Sequence, residues 1–167
     1  MHAAIALATA TLVFGAPLHG AEEAPFVTTR VLSLDAANRL ALGAAGECGK
    51  RGFQVAVAVV DRSGGLLAFA RDPLAGPHTI DVSIGKAYAA ASFQTSTAQM
   101  QEPRFAGLRS APKVMLVGGG LPVRIGGHIY GAVGVSGAPA EKTTGDIDQQ
   151  CAQAGIEAIR EAIEFAQ

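Results

Sequence analysis

Apolar positions recur at helical spacing from Leu34 onward, with Leu34, Ala37, Ala41, Ala44 and Cys48 on one side of a 3.6-residue repeat. Ser33 stands before them as a candidate N-cap, and Asp35 lies in the first turn, where the helix dipole favours a carboxylate. Gly52 follows Lys50 and Arg51 as a stop signal, so the pattern predicts a helix over Leu34–Arg51. The next stretch, FQVAVAVVD, is apolar and β-branched; RSGG is turn chemistry, and LLAFARD resumes the strand pattern. These predict a hairpin of Val55–Asp61 with Leu66–Arg71. A second helix, Ile80–Phe93, is built almost wholly of small residues. TSTAQMQEPRFAGLRSAPK is polar and irregular, with room for one short turn near Ala98. VMLVGGGLPVRIGGHIYGAVGVSG reads as three strands between glycines: Val114–Val117, Leu121–Ile125 and His128–Ser136. Asp146 and Gln149 then make a start resembling a capping box, and Ile156, Ile159 and Ile163 repeat along a last helix. Helix, two strands, helix, three strands, helix is the order expected of an antiparallel sheet covered by helices.

Composition narrows this to one domain. The chain has 167 residues, 49% of them hydrophobic and 16% charged, enough for a real core. A net charge of -1 gives no electrostatic footprint for nucleic acid and no basic run for an anionic membrane. The first 21 residues, MHAAIALATATLVFGAPLHGA, carry no charged side chain and an apolar run from Ala3 to Ala16 that ends at Pro17. This is the pattern of a secretory signal peptide, although the leading residues lack Lys or Arg and His19 is an unusual neighbour for a cleavage site. A permanent span needs ~20 apolar residues, more than this run offers. The expectation is an exported protein, periplasmic or secreted, whose mature domain is Glu22–Gln167. Export makes a disulfide permissible for Cys48 and Cys151, but sequence leaves open whether they pair or stay as buried thiols.

Several motifs fail on inspection. Gly118-Gly119-Gly120 is followed by neither Lys-Ser/Thr nor a helix, so it is no phosphate loop. Gly134-x-Ser136-Gly137 lacks the spacing of a nucleophile elbow, and a hydrolase built on Ser136, His128 and Asp146 is not expected. His78 and His128 lie fifty residues apart in no metal-ligand spacing. His78 remains. Pro77 pins the backbone before it, Thr79 can cap the helix behind it, and an imidazole held there could ligate iron. Along that helix Gly85, Ala89 and Ser92 make a smooth face, open to two readings: close packing on the sheet, or contact with a planar macrocycle. Lys86 and Arg71 are cations that could pair with a ligand's carboxylates.

The blocks VVD-x-x-GG, the helix K-A-Y-x-A-x-S-F, GG-x-P and G-A-V-G-V-S-G occur here in that order. In them the chain resembles the GlcG/HbpS-like family, relatives of the PduO C-terminal domain, over nearly all of the mature sequence. The resemblance implies an α+β fold, a profilin-like three-layer α/β/α sandwich with a five-stranded antiparallel sheet, that assembles into homo-oligomers. It also implies non-covalent haem, and roles in haem and iron handling or oxidative-stress sensing. Axial ligands in the family are a histidine or an oxygen donor such as threonine, so His78 is the first choice for the iron and Thr79 the second. Arg71, Lys86, Gly85 and Ala89 complete the expected haem site. No distal acid–base pair is evident, so peroxidase-like turnover would belong to the haem rather than to a dedicated enzyme. The competing reading, from the family's glycolate operon name, is a protein acting on small 2-hydroxy or 2-oxo acids, with Arg71, Lys86 or Arg124 clamping the carboxylate. A third is a module that binds a partner protein without haem.

Overall fold

The computed structural model describes residues 25–139 and 146–166. The proposed signal segment, residues 1–21, lies outside them. Helix α1 (Leu34–Lys50) begins as the pattern requires, with the Ser33 hydroxyl accepting from the Ala36 amide at 3.2 Å. It stops where Arg51 and Phe53 turn their amides back to the Cys48 carbonyl. Strands β1 (Ala56–Val60) and β2 (Leu66–Arg71) form an antiparallel hairpin. Its turn is held by the Asp61 carboxylate, which accepts from the amides of Ser63 at 2.7 Å and Gly65 at 2.9 Å. Helix α2 (Thr79–Phe93) ends at Gln94, whose φ of 52° is left-handed. Two 3-10 segments, Gln99–Gln101 and Pro103–Ser110, follow. Strands β3 (Gly120–Ile125) and β4 (His128–Ser136) pair through a turn at Gly126-Gly127, both at positive φ, the geometry that splays least in a two-residue hairpin. Helix α3 (Asp146–Glu164) closes the described chain.

Among the described residues the sheet has four strands, in the order β2-β1-β4-β3, not the five expected. The missing one is Val114–Val117. Its apolar run is not used in the sheet: the Met115 amide donates to the Gly85 carbonyl of α2 at 3.4 Å, and the Leu116 carbonyl accepts from the Gln101 side chain at 2.9 Å. Those groups are spent on α2 and the 3-10 segment, so the run packs as a strap rather than pairing as a strand. Pro122, which has no N–H for a ladder, is accommodated because β3 is an edge strand.

Alternation along the strands divides the core between two faces. Val57, Val59, Val133 and Val135 face α1 and α3, where Leu40, Ala44, Ile156 and Ile159 meet them. Ala58, Val60 and Ala132 face α2, against Ala87, Ala90 and Ala91. The chain is therefore three layers, helix pair, sheet and single helix. Cys48 and Cys151 are joined in a disulfide that ties α1 to α3, with Cα atoms 5.6 Å apart.

Candidate functional site

The small residues of α2 find their first explanation in the sheet. A Cβ on Gly134 would stand 2.1 Å from the Ser83 carbonyl oxygen and 2.6 Å from the Ala87 amide nitrogen. The helix backbone thus rests almost directly on β4, and Thr79, Ser83, Lys86, Ala87 and Ala90 form its buried side. On another side, Gly85 lies beneath the strap, where a Cβ would come within 2.9 Å of Met115 Cβ, and Ala89 is fully buried. The smooth face imagined for a macrocycle is covered by the chain itself over Gly85 and Ala89. Only Ser92 is open, and its hydroxyl donates to the Tyr88 carbonyl at 2.8 Å.

Lys86, expected to reach a ligand's carboxylate, reaches one of the protein's own. It is 2% exposed, and its Nζ donates to Asp148 Oδ2 at 2.9 Å and to the Val135 carbonyl at 2.8 Å. The other Asp148 oxygen accepts from the Ala138 amide at 3.1 Å. Burial pushes the Lys86 ammonium below its ordinary pKa against the pull of Asp148. Burial likewise raises the Asp148 carboxyl, opposed by Lys86 and by the amides of Ala138 and Gly137. The triple glycine has its use here: a Cβ on Gly119 would lie 3.0 Å from Lys86 Nζ and 2.8 Å from Asp148 Cβ. The glycines clear a channel through which a lysine of α2 reaches an aspartate of α3. Asp148 is buried as this lysine's counter-ion.

His78 and Arg71 are placed otherwise. The Arg71 guanidinium donates to the Ala75 carbonyl, and the Asp72 carboxylate accepts from the Leu74 amide at 2.8 Å. Thr79 is the first residue of α2 rather than its cap; its buried hydroxyl donates to the Gly76 carbonyl at 2.7 Å. These bonds fix the loop of residues 72–78, and Arg71 and His78 stand at its two ends. His78 occupies the N-cap position without a capping bond, exposed to solvent. Its ring lies back over Gly76, where a Cβ would be 2.8 Å from Nδ1 and 2.7 Å from Cε1. Two apolar neighbours are also left in solvent, Leu74 at 81% and Ile80 at 36% exposure.

The other constellations do not assemble. Arg124 is on β3 and bonds the Gln94 carbonyl at 3.3 Å, at the opposite edge of the sheet from Arg71. His128 and Ser136 are the two ends of β4, roughly 26 Å apart at the usual rise per residue. Among the described residues no group of three or more His, Cys, Asp or Glu could hold a metal ion. None of their helices is long and apolar enough to cross a membrane.

A family model described as "Haem degrading protein HbpS-like" matches residues 32–157. The chain belongs to the HbpS-like family. It is 35% identical over 112 residues to the protein GlcG of Escherichia coli, which covers 65% of this chain and 84% of that one. Among solved structures, a double mutant of HbpS from Streptomyces reticuli is 34% identical and superposes with a TM-score of 0.74, over 87% of this chain and 97% of its own. A complex of PduOC with heme is 27% identical, with a TM-score of 0.69 over 77% of this chain and 95% of its own. The family named from the block order is therefore the family found.

Sequence reading missed two features. One is the ion pair, since nothing in a lone lysine and a lone aspartate 62 positions apart announces a contact. The other is a cavity of about 410 Å³ between the start of α1 and the end of α3. Its lining is spread over three segments, so no local motif marks it.

Proposed function

We propose that the protein is exported and binds haem non-covalently, with His78 as the iron ligand and Arg71 available to a propionate. The observation that carries this is the built loop of residues 72–78. It holds an imidazole in solvent, on a rigid seat over Gly76, between exposed Leu74 and Ile80. Thr79 is the weaker candidate, because its hydroxyl is buried and already donated to Gly76. The porphyrin belongs on the Leu74/Ile80 side of the loop rather than on Gly85, which the strap covers, or Ala89, which is buried. The family description and the PduOC–heme relative support the ligand. The apolar leader and the Cys48–Cys151 disulfide support an oxidising compartment. Homo-oligomer formation fits the edge strand β2, which leaves Leu66 and Phe69 partly exposed.

Titration with hemin, followed at the Soret band, tests the reading. A saturable shifted band is expected, lost in His78→Ala and kept in Thr79→Ala. A non-saturating titration, or one unchanged by His78→Ala, would overturn it. The small-acid alternative draws no support from the geometry, since Lys86 is occupied and Arg71 and Arg124 lie on opposite edges.

A further inference from the structure

On the side of the sheet away from α2, the cavity between α1 and α3 has the build of a second ligand site. Its floor is largely apolar: Leu32, Ile159 and the ring of Tyr130 are buried, and Ile163 is half-buried. Its mouth carries two guanidiniums, Arg30 and Arg39, against a single carboxylate, Asp35. Arg39 donates to the Ala158 carbonyl at 3.1 Å, so it is fixed at the rim by the last turns of α3. Arg30 has no partner among the described residues. The volume of about 410 Å³ is within the range that takes small organic ligands. The Cys48–Cys151 bond ties the far halves of the same two helices.

Charge and surface together select the occupant. A neutral hydrocarbon would leave the guanidiniums unused, and a polyanion would meet Asp35 and bring no apolar body to the floor. We infer that this cavity binds an organic monocarboxylate with a hydrocarbon body, the carboxylate against Arg30 and the body on Ile159 and Ile163. The site is separate from the His78 loop, which lies at the entrance of α2 on the opposite face.

The experiment is calorimetric titration of the haem-free, oxidised protein with hexanoate, octanoate and decanoate. One saturable site is expected, tightening roughly fourfold for each further methylene buried. Arg30→Gln should weaken all three about tenfold while leaving their ratio unchanged. Ala162→Phe, at an exposed position of the lining, should fill the cavity and abolish the dependence on chain length. His78→Ala should leave every value unchanged. The inference is overturned by binding independent of chain length, by binding indifferent to Ala162→Phe, or by no binding at all. Loss of decanoate in His78→Ala, or its displacement by one equivalent of hemin, would overturn it too, by making the two sites one.

Discussion

The two faces of the sheet are packed by opposite rules. Toward α1 and α3 the strands present valines, and the helices answer with leucine, isoleucine and a disulfide. Toward α2 they present alanine and glycine with a single valine, Val60, and the helix answers with alanine, serine and a buried lysine. The first interface holds by volume of hydrocarbon, and so loses stability by degrees when atoms are removed. The second holds by closeness of backbones, and so has no room for atoms to be added. Close approach also leaves the Lys86 side chain no way out except the glycine-lined channel to Asp148.

Substitutions that exploit this difference fall in a definite order. Gly134→Ala adds one methyl group against the α2 backbone, and no stably folded protein is expected, as judged by the absence of a cooperative urea transition. Cys48→Ala with Cys151→Ala opens a loop spanning a separation of 103 residues. It should cost about 4.7 kcal/mol if loop entropy dominates, read from the same transition. Lys86→Met strands the Asp148 carboxylate in the interior at a cost of about 3–5 kcal/mol. Adding Asp148→Leu should restore most of it, whereas simple additivity in that double-mutant cycle would show the pair to be uncoupled. Ile159→Val on the hydrocarbon side should cost only about 1 kcal/mol. The smallest effect on stability belongs to His78→Ala, within about 0.5 kcal/mol because the ring is exposed, even as the hemin-induced Soret shift disappears.

Local chemistry wrote most of the fold into the sequence. Ser33, the DRSGG turn and Gly126-Gly127 each specify a bend or a start without help from distant residues, and β2 and β4 begin and end where the alternation predicted. Val114–Val117 was misread because a short apolar run looks the same whether it pairs with a strand or straps a helix; the partner, Gly85, decides, and it lies far off in the chain. The site divides in the same way. The place of His78 at the entrance of α2 beside Pro77 was legible, since proline and the start of a helix are local signals; that its ring faces solvent was not. The fates of Lys86 and Gly85 were not, because burial depends on what arrives from elsewhere: an aspartate from α3 for one, a strap for the other.

The bond between Cys48 and Cys151 changes what a single proteolytic cut does to the molecule. It converts all the chain between the two helices into a covalent ring that includes the sheet, α2 and the exposed segment Pro103–Ser110. A protease that cuts the ring once at that segment opens it but releases nothing, since both new ends remain attached to the same molecule. The nicked protein should run as one species until it is reduced, and then as two. Damage in an oxidising environment would accumulate as silent cuts rather than as lost fragments.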